Sequence, residues 1–344
     1  MKKKGVILIQ GVSTAGKHTV FKWPKIYKGY DIALATESFD ITKAGLEERI
    51  VATLDSTISL VTLIEGYPMW ETAIQKLEER FEDIRYILVY APLFLLNERQ
   101  KYLGTGRPSE DNYNYYANII NKNNLEKIQF VNTGEPLKIK TFNSIEQFKG
   151  EWEKINTKPT PLDQVEFVKS LGDTSNQYDD IELPGNTIKG VVPCQETWVL
   201  LKDMGIDFKD KCVVDVGCNE GFFLFKIKEA GASRCVGIEI HEKYIKNAKK
   251  IAWLKQCPVD FLQENIDDYT PRPRDITLCL NMLHYTDTTQ SLHHLFSATK
   301  EIVFEINNEQ VELVENYAKF IEFELVKKIP GRINRHILWF KVKG

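Results

Sequence analysis

The sequence predicts two tandem α/β domains, each built on a mostly parallel sheet covered by helices. Three observations carry this. The chain has 344 residues, more than one ordinary domain holds. Short apolar runs alternate with helix-length amphipathic stretches in both halves, the pattern of strands joined by helical crossovers. A polar, proline-rich stretch from Asn156 to Gly190 separates the two series, as at a domain boundary. The expected division is residues 1–155, a linker and lead-in over 156–184, and residues 185–344.

In the first half the apolar runs 5–10, 60–65 and 85–90 read as strands, and 43–57, 69–82 and 92–102 as helices. In the second half strands are expected at 211–216, 234–239, 258–262, 275–280, 301–306, 322–328 and 335–342. Helices are expected between them at 220–230, 241–254, 287–298 and 308–319. Only the turn "PGRIN" separates the last two strands. They therefore read as an antiparallel hairpin closing one side of the sheet.

Composition bounds the function. Hydrophobic residues make up 43% and charged residues 27%, as in soluble globular proteins. No apolar run has the length needed to cross a membrane. The start, Met1-Lys2-Lys3-Lys4 and then a short apolar run ending at Gln10-Gly11, lacks the core and cleavage site of a secretory leader. Net charge is −3, with +1 before residue 170 and −4 after it. General nucleic-acid binding leaves a basic excess, so only a local basic patch stays open. All six cysteines lie in the second half without a CxxC pair, which argues against a zinc site or a disulfide framework. They read as small core residues in a reducing compartment, and the expected location is cytoplasmic. His241, His293, His294 and His336 lack metal-ligand spacing and read as surface or helix-face residues.

The segment "KCVVDVGCNEGFF" is the most informative. Its apolar run ends at Asp215 and Gly217, and open α/β sheets bind ligands at the carboxyl ends of such strands. Gly217 and Gly221 permit a sharp turn and close approach to a ligand. The next strand, "CVGIE", ends in Glu239, and a carboxylate there can accept hydrogen bonds from both hydroxyls of a ribose. The glycine fingerprint of dinucleotide enzymes is absent. "DVGCNEG" resembles the first motif of class I S-adenosylmethionine-dependent methyltransferases, and Glu239 resembles their acidic second motif, over residues 185–343.

That resemblance implies a cofactor and a site. Asp215, Gly217, Cys218, Asn219 and Gly221 would surround the amino-acid part of S-adenosylmethionine, and Glu239 would hold its ribose. Asn265 and Ile266, in "QENIDDY", would touch adenine. Asn281, His284 and Tyr285, in "LCLNMLHYTD", would lie beside the transferred methyl. His284 is either a general base, since an unperturbed imidazole titrates near neutrality, or a polar wall of the pocket. Tyr178, Lys189, Gln195 and Trp198 in the lead-in either close over the ligands or cover the sheet edge.

In the first half, "GVSTAGKHTV" follows the first strand. Gly11, Gly16 and Lys17 fit a phosphate-binding loop, whose backbone N–H groups cradle phosphates at a helix N-terminus. His18 stands where a serine or threonine would ligate magnesium, and imidazole suits that hard ion poorly. Pro24 should break the following helix within about two turns. Over residues 4–150 the half resembles small P-loop kinases of the nucleotide, polynucleotide or antibiotic type. The resemblance implies that Gly11, Ser13, Ala15, Gly16, Lys17, His18 and Thr19 surround the phosphates of ATP or GTP, with Glu65 taking over Mg2+. Arg99, Lys101 and Arg107 would form a basic lid, and Asp31, Glu37 or Asp40 the base.

The expected protein is a bifunctional kinase–methyltransferase, both halves acting on one acceptor or the second on the new phosphate. The open alternatives are an RNA-end or tRNA modifier, a methyltransferase tailoring a glycan or small molecule, and a methyltransferase joined to a non-catalytic nucleotide sensor.

Overall fold

The computed structural model describes residues 5–11, 15, 34–35, 60–65, 83–103, 112–122, 125–269, 271–286, 288–332 and 334–343. The chain divides into two compact units, Met1–Thr157 and Lys158–Gly344.

Among the described residues the first unit holds five strands: β1 (Gly5–Gln10), β2 (Leu34–Ala35), β3 (Leu60–Glu65), β4 (Asp83–Tyr90) and β5 (Ile128–Asn132). They form one sheet in the order β2-β3-β1-β4-β5. Every pairing in it is parallel. Ile7, Leu8 and Ile9 are consecutive and all buried, as in a strand covered on both faces. Helix α1 (Leu93–Leu103) follows β4 where 92–102 was expected. Helices α2 (Asn112–Lys122) and α3 (Ile145–Asn156) were not expected. Ser144 caps α3 by accepting from the Gln147 N–H, which satisfies one of the helix's free donors. Phe148, Trp152 and Ile155 then fall on one buried face of α3, and the Phe148 ring lies 5.2 Å from that of Phe130 and 5.4 Å from that of Tyr90. The expected helices at 43–57 and 69–82 lie outside the described residues.

Within the 156–184 linker and lead-in, helix α4 spans Pro161–Leu171. Thr160 and Asp163 form a reciprocal capping box, and Pro161 occupies the first turn, where proline costs no hydrogen bond. A proline in this polar stretch thus starts a helix. A hairpin, β6 (Ile181–Leu183) and β7 (Asn186–Ile188), and helix α5 (Cys194–Asp203) complete the lead-in.

The main sheet comprises β8 (Cys212–Val216), β9 (Arg234–Glu239), β10 (Asp260–Gln263), β11 (Arg274–Leu280), β12 (Thr299–Asn307), β13 (Phe323–Pro330) and β14 (Arg335–Val342). Helices α6 (Phe222–Glu229), α7 (Glu242–Lys255), α8 (Thr288–Phe296) and α9 (Asn308–Phe320) connect them. The order is β10-β9-β8-β11-β12-β14-β13, so β8 lies inside the sheet. Among the strands of this sheet β14 alone is reversed in direction, and the expected hairpin closes the edge. Val213 packs in a core with Trp198, Leu224 and Ile251, while Val214 and Val216 join Leu295, Phe304 and Val314. The alternation shows that β8 is buried on both faces. Among the described residues no helix is long and apolar enough to cross a membrane.

Candidate cofactor site

The site forms where β8 and β9 end side by side. After Val216 the chain turns through Gly217 at φ 74° and Asn219 at φ 49°, and reaches Gly221 at φ 89°, the N-cap of α6. The glycines are required. A Cβ on Gly217 would lie 2.6 Å from Met282 Cγ, and positive φ strains other residues. The N–H groups of Gly217 and Cys218 both donate to the Ile238 carbonyl, at 2.9 and 3.1 Å. The loop is thereby tied to β9. Glu239 completes the tie: its two carboxylate oxygens accept from the Asn219 N–H at 3.1 Å and the His241 N–H at 2.9 Å. Each oxygen has a second lone pair left.

Polar atoms at this strand end lack partners. Asp215 is 2% exposed, and no hydrogen-bond donor among the described residues reaches its carboxyl. Burial pushes that carboxyl well above the usual range, and the charges of Asp179 and Glu239 push it further. Asn219 Oδ1 is buried without a partner. Orphaned buried acceptors are costly and point to a donor supplied from outside. The residues expected around the amino-acid part of the cofactor thus fit a ligand that carries N–H groups and positive charge.

The lead-in and the β13–β14 turn frame the other side. Asn281, at φ 59° after β11, donates from Nδ2 to the Tyr178 hydroxyl at 2.7 Å. Arg332 donates to both carboxylate oxygens of Glu305 at 3.0 Å. Glu305 is fully buried and also accepts from Thr197 Oγ1 at 3.4 Å. Arg335 donates to Asn307 Oδ1 at 3.4 Å and makes no ion pair among the described residues. His284 and Tyr285 protrude from a short helical turn, their ring centroids 3.9 Å apart, and Tyr285 is 79% exposed. Burial, and after it the charge of Arg335, hold the His284 imidazole below its ordinary pKa.

The remaining candidates divide. Asn265 Oδ1 accepts from the Asp267 N–H at 3.2 Å, forming a turn just beyond β10. The Ile266 side chain is buried in the core, while its carbonyl lies 2.8 Å from His294 Nδ1. Trp198 packs on Phe208 inside the unit, as the covering one of its two readings has it. Lys189 pairs with Asp180 at 2.9 Å, and Gln195 is exposed. Sequence reasoning missed Asp179 and the Arg332–Glu305 pair.

In the first unit, Gly11 and Ala15 are buried. The Ala15 carbonyl accepts from Thr133 Oγ1 at 2.7 Å, and Arg99 Nη1 donates to the same hydroxyl at 3.3 Å. Glu65 is the last residue of β3. Ser13, Gly16, Lys17, His18, Thr19, Asp31, Glu37, Asp40 and Arg107 lie outside the described residues. All six cysteines are free thiols. Among the described residues no cluster of His, Cys, Asp or Glu could hold a metal ion.

Residues 213–302 match the family model of a methyltransferase domain. The tRNA U34 carboxymethyltransferase of Helicobacter acinonychis (strain Sheeba) is 31% identical over 122 residues, which are 31% of this chain and 44% of that protein. The tRNA U34 carboxymethyltransferase of Campylobacter jejuni subsp. jejuni (strain 81116 / NCTC 11828) is 28% identical over 102 residues, 28% of this chain and 34% of that one. The chain spans less than half the length of these curated relatives. Among solved structures, magnesium protoporphyrin IX methyltransferase from Synechocystis PCC 6803 with bound SAM is similar at a TM-score of 0.37 and 17% identity, over 44% of this chain and 77% of that one. The family match lies wholly in the second unit, which contains a methyltransferase domain on a Rossmann-like sheet.

Proposed function

We propose that the second unit is an S-adenosylmethionine-dependent transferase whose acceptor is a tRNA nucleoside. The single observation that carries the cofactor reading is the grip of the Asn219 and His241 N–H groups on Glu239 at the carboxyl end of β9. That grip aims the two remaining carboxylate lone pairs of a fixed group at a ribose diol. Asp215 and Asn219 Oδ1 supply acceptors for the ammonium of the amino-acid part. The turn at Asn265 and Ile266 just beyond β10 is where the adenine edge would sit.

When bound, a sulfonium cofactor supplies an already activated carbon, so the protein's work is alignment and exclusion of water. Asn281 and Tyr178, joined at 2.7 Å, wall the acceptor side. His284, whose imidazole is held below its ordinary pKa, is neutral at pH 7 and can accept a proton as the acceptor is alkylated. The exposed Tyr285 ring suits stacking on a base lifted from its strand. The names of the relatives point to tRNA and to a carboxymethyl group. Arg335, a cation without an ion pair among the described residues and acting on both His284 and Tyr178, is the group a carboxylate on the transferred carbon would meet.

The test is mass analysis of nucleosides from tRNA incubated with the protein and either S-adenosylmethionine or a carboxylated sulfonium analogue. A gain of methyl or carboxymethyl on one nucleoside, absent with Glu239→Ala, is expected. No gain with either donor contradicts the tRNA reading.

For the first unit the finer proposal is a P-loop phosphotransferase. Its support is the parallel order β2-β3-β1-β4-β5 and the anchoring of the Ala15 carbonyl to Thr133 beyond β5. Magnesium-dependent ATP binding lost in Lys17→Ala is the expected result, and binding indifferent to that change contradicts it.

A further inference from the structure

The lead-in carries a carboxyl that the motif reading passes over. Asp179 is 4% exposed. Its backbone is clamped: Val191 N–H donates to the Gln177 carbonyl at 2.7 Å and Val192 N–H to the Tyr178 carbonyl at 3.0 Å. Gly190 presses on it so closely that an added Cβ would lie 2.4 Å from the Asp179 carbonyl carbon. The Cys194 thiol, at the start of α5, donates to Asp179 Oδ1 at 3.0 Å. The other charges acting on Asp179 are Glu220 before α6, Arg332 in the β13–β14 turn and its neighbour Asp180. Asp179 in turn acts on Asp215 of β8 and Tyr244 of α7.

Tyr178 bonds Asn281 beyond β11 and Gln177 bonds Glu220 in the loop after β8, so Asp179 lies at the strand ends that carry Asp215 and Glu239, and it and Glu239 both act on the Asp215 carboxyl. The cation that acts on Asp179, Arg332, is already bound to both oxygens of Glu305. Independently, the Asp215 carboxyl is 2% exposed with no donor among the described residues, and Asn219 Oδ1 is buried without a partner. Surplus buried acceptors fit a ligand that brings donors, and crowded carboxyls fit one that is cationic.

We infer that Asp179 is a cofactor-binding residue: with Asp215 it receives the ammonium end of a cationic amino-acid cofactor from the lead-in side. The inference rests on the S-adenosylmethionine reading and extends its site by one residue outside the motifs. It has a proton consequence. Burial pushes the Asp179 carboxyl up to about 6, against the pull of the Cys194 hydrogen bond. An adjacent ammonium favours the charged form, so the carboxyl loses its proton to solvent as the ligand binds. Below pH 6 the free site is protonated, and affinity falls as acid is added.

Titration calorimetry with S-adenosylmethionine at pH 5.5, in two buffers of different ionisation enthalpy, counts the protons released. Asp179→Asn should lower that count by roughly three-quarters of a proton and weaken binding at pH 7.5 at least tenfold. Cys194→Ala, which removes the thiol that holds the Asp179 carboxyl down, should move the midpoint of the affinity–pH curve upward. An unchanged proton count in Asp179→Asn, or an unmoved midpoint in Cys194→Ala, overturns the role of Asp179 while leaving the cofactor reading intact. Failure of the unaltered protein to bind S-adenosylmethionine at any pH overturns both.

Discussion

The backbone N–H of Asn219 lies 3.1 Å from a carboxylate oxygen of Glu239, across the gap between β8 and β9. The other oxygen takes the His241 N–H at 2.9 Å, so one carboxylate fixes two turns at once. In Glu239→Gln the amide NH2 must face one of these N–H donors, which leaves a buried donor unpaired. The expected loss is about 1–3 kcal/mol of folding stability, read from the urea midpoint without ligand. An unchanged midpoint contradicts the grip.

Gly217 has a sharper consequence. Alanine there must hold φ near 74° and meet Met282 Cγ at 2.6 Å. Gly217→Ala should therefore cost at least about 1–2 kcal/mol from backbone strain alone and abolish cofactor binding, because the loop can relax only by leaving Ile238. A thermal melt and a binding titration on the same sample check both parts.

His284 predicts a pH profile. Burial and the Arg335 charge lower its pKa, so the neutral form persists to more acid pH than the ordinary value of about 6.5. As a base, it should give a kcat that falls on the acid side with a midpoint below that value. His284→Ala should lower kcat by about 10²-fold or more and leave S-adenosylmethionine affinity little changed. An affinity loss without a kcat loss would make it a wall of the pocket instead.

Arg332 and Glu305 make a bidentate pair at 3.0 Å, and Glu305 is fully buried. Arg332→Met leaves that carboxylate without its cation. Breaking such a pair costs about 3–5 kcal/mol, so the denaturation midpoint should drop clearly at pH 7. Replacing both residues by apolar ones of similar volume should restore more stability than either change alone.

Much of the second unit was legible because its strands are continuous apolar runs with short punctuation. Cys212 to Val216 could only be a buried strand, and Gly217 and Gly221 marked the turn after it. Helix α4 was not legible because a proline-rich polar stretch also suits a linker, and only the Thr160–Asp163 box marks the helix start. Asp179 was missed because "YDD" in a polar stretch looks solvated. Its burial depends on the 189–192 segment folding back over it. Glu305 did leave a signal, a charge inside the run "EIVFEIN", which calls for a buried partner such as Arg332. In the first unit the strand order was not readable from the sequence, because pairing of β1 with both β3 and β4 is set by packing beyond any local pattern.

The most direct test is calorimetric titration of S-adenosylmethionine into the full chain and into Glu239→Ala, both near neutral pH. Saturable one-to-one binding to the unaltered protein, weakened at least a hundredfold in the variant, is the predicted result. Equal affinity in the two proteins, or no binding to either, would contradict the assignment of the β8–β9 strand ends as the cofactor site.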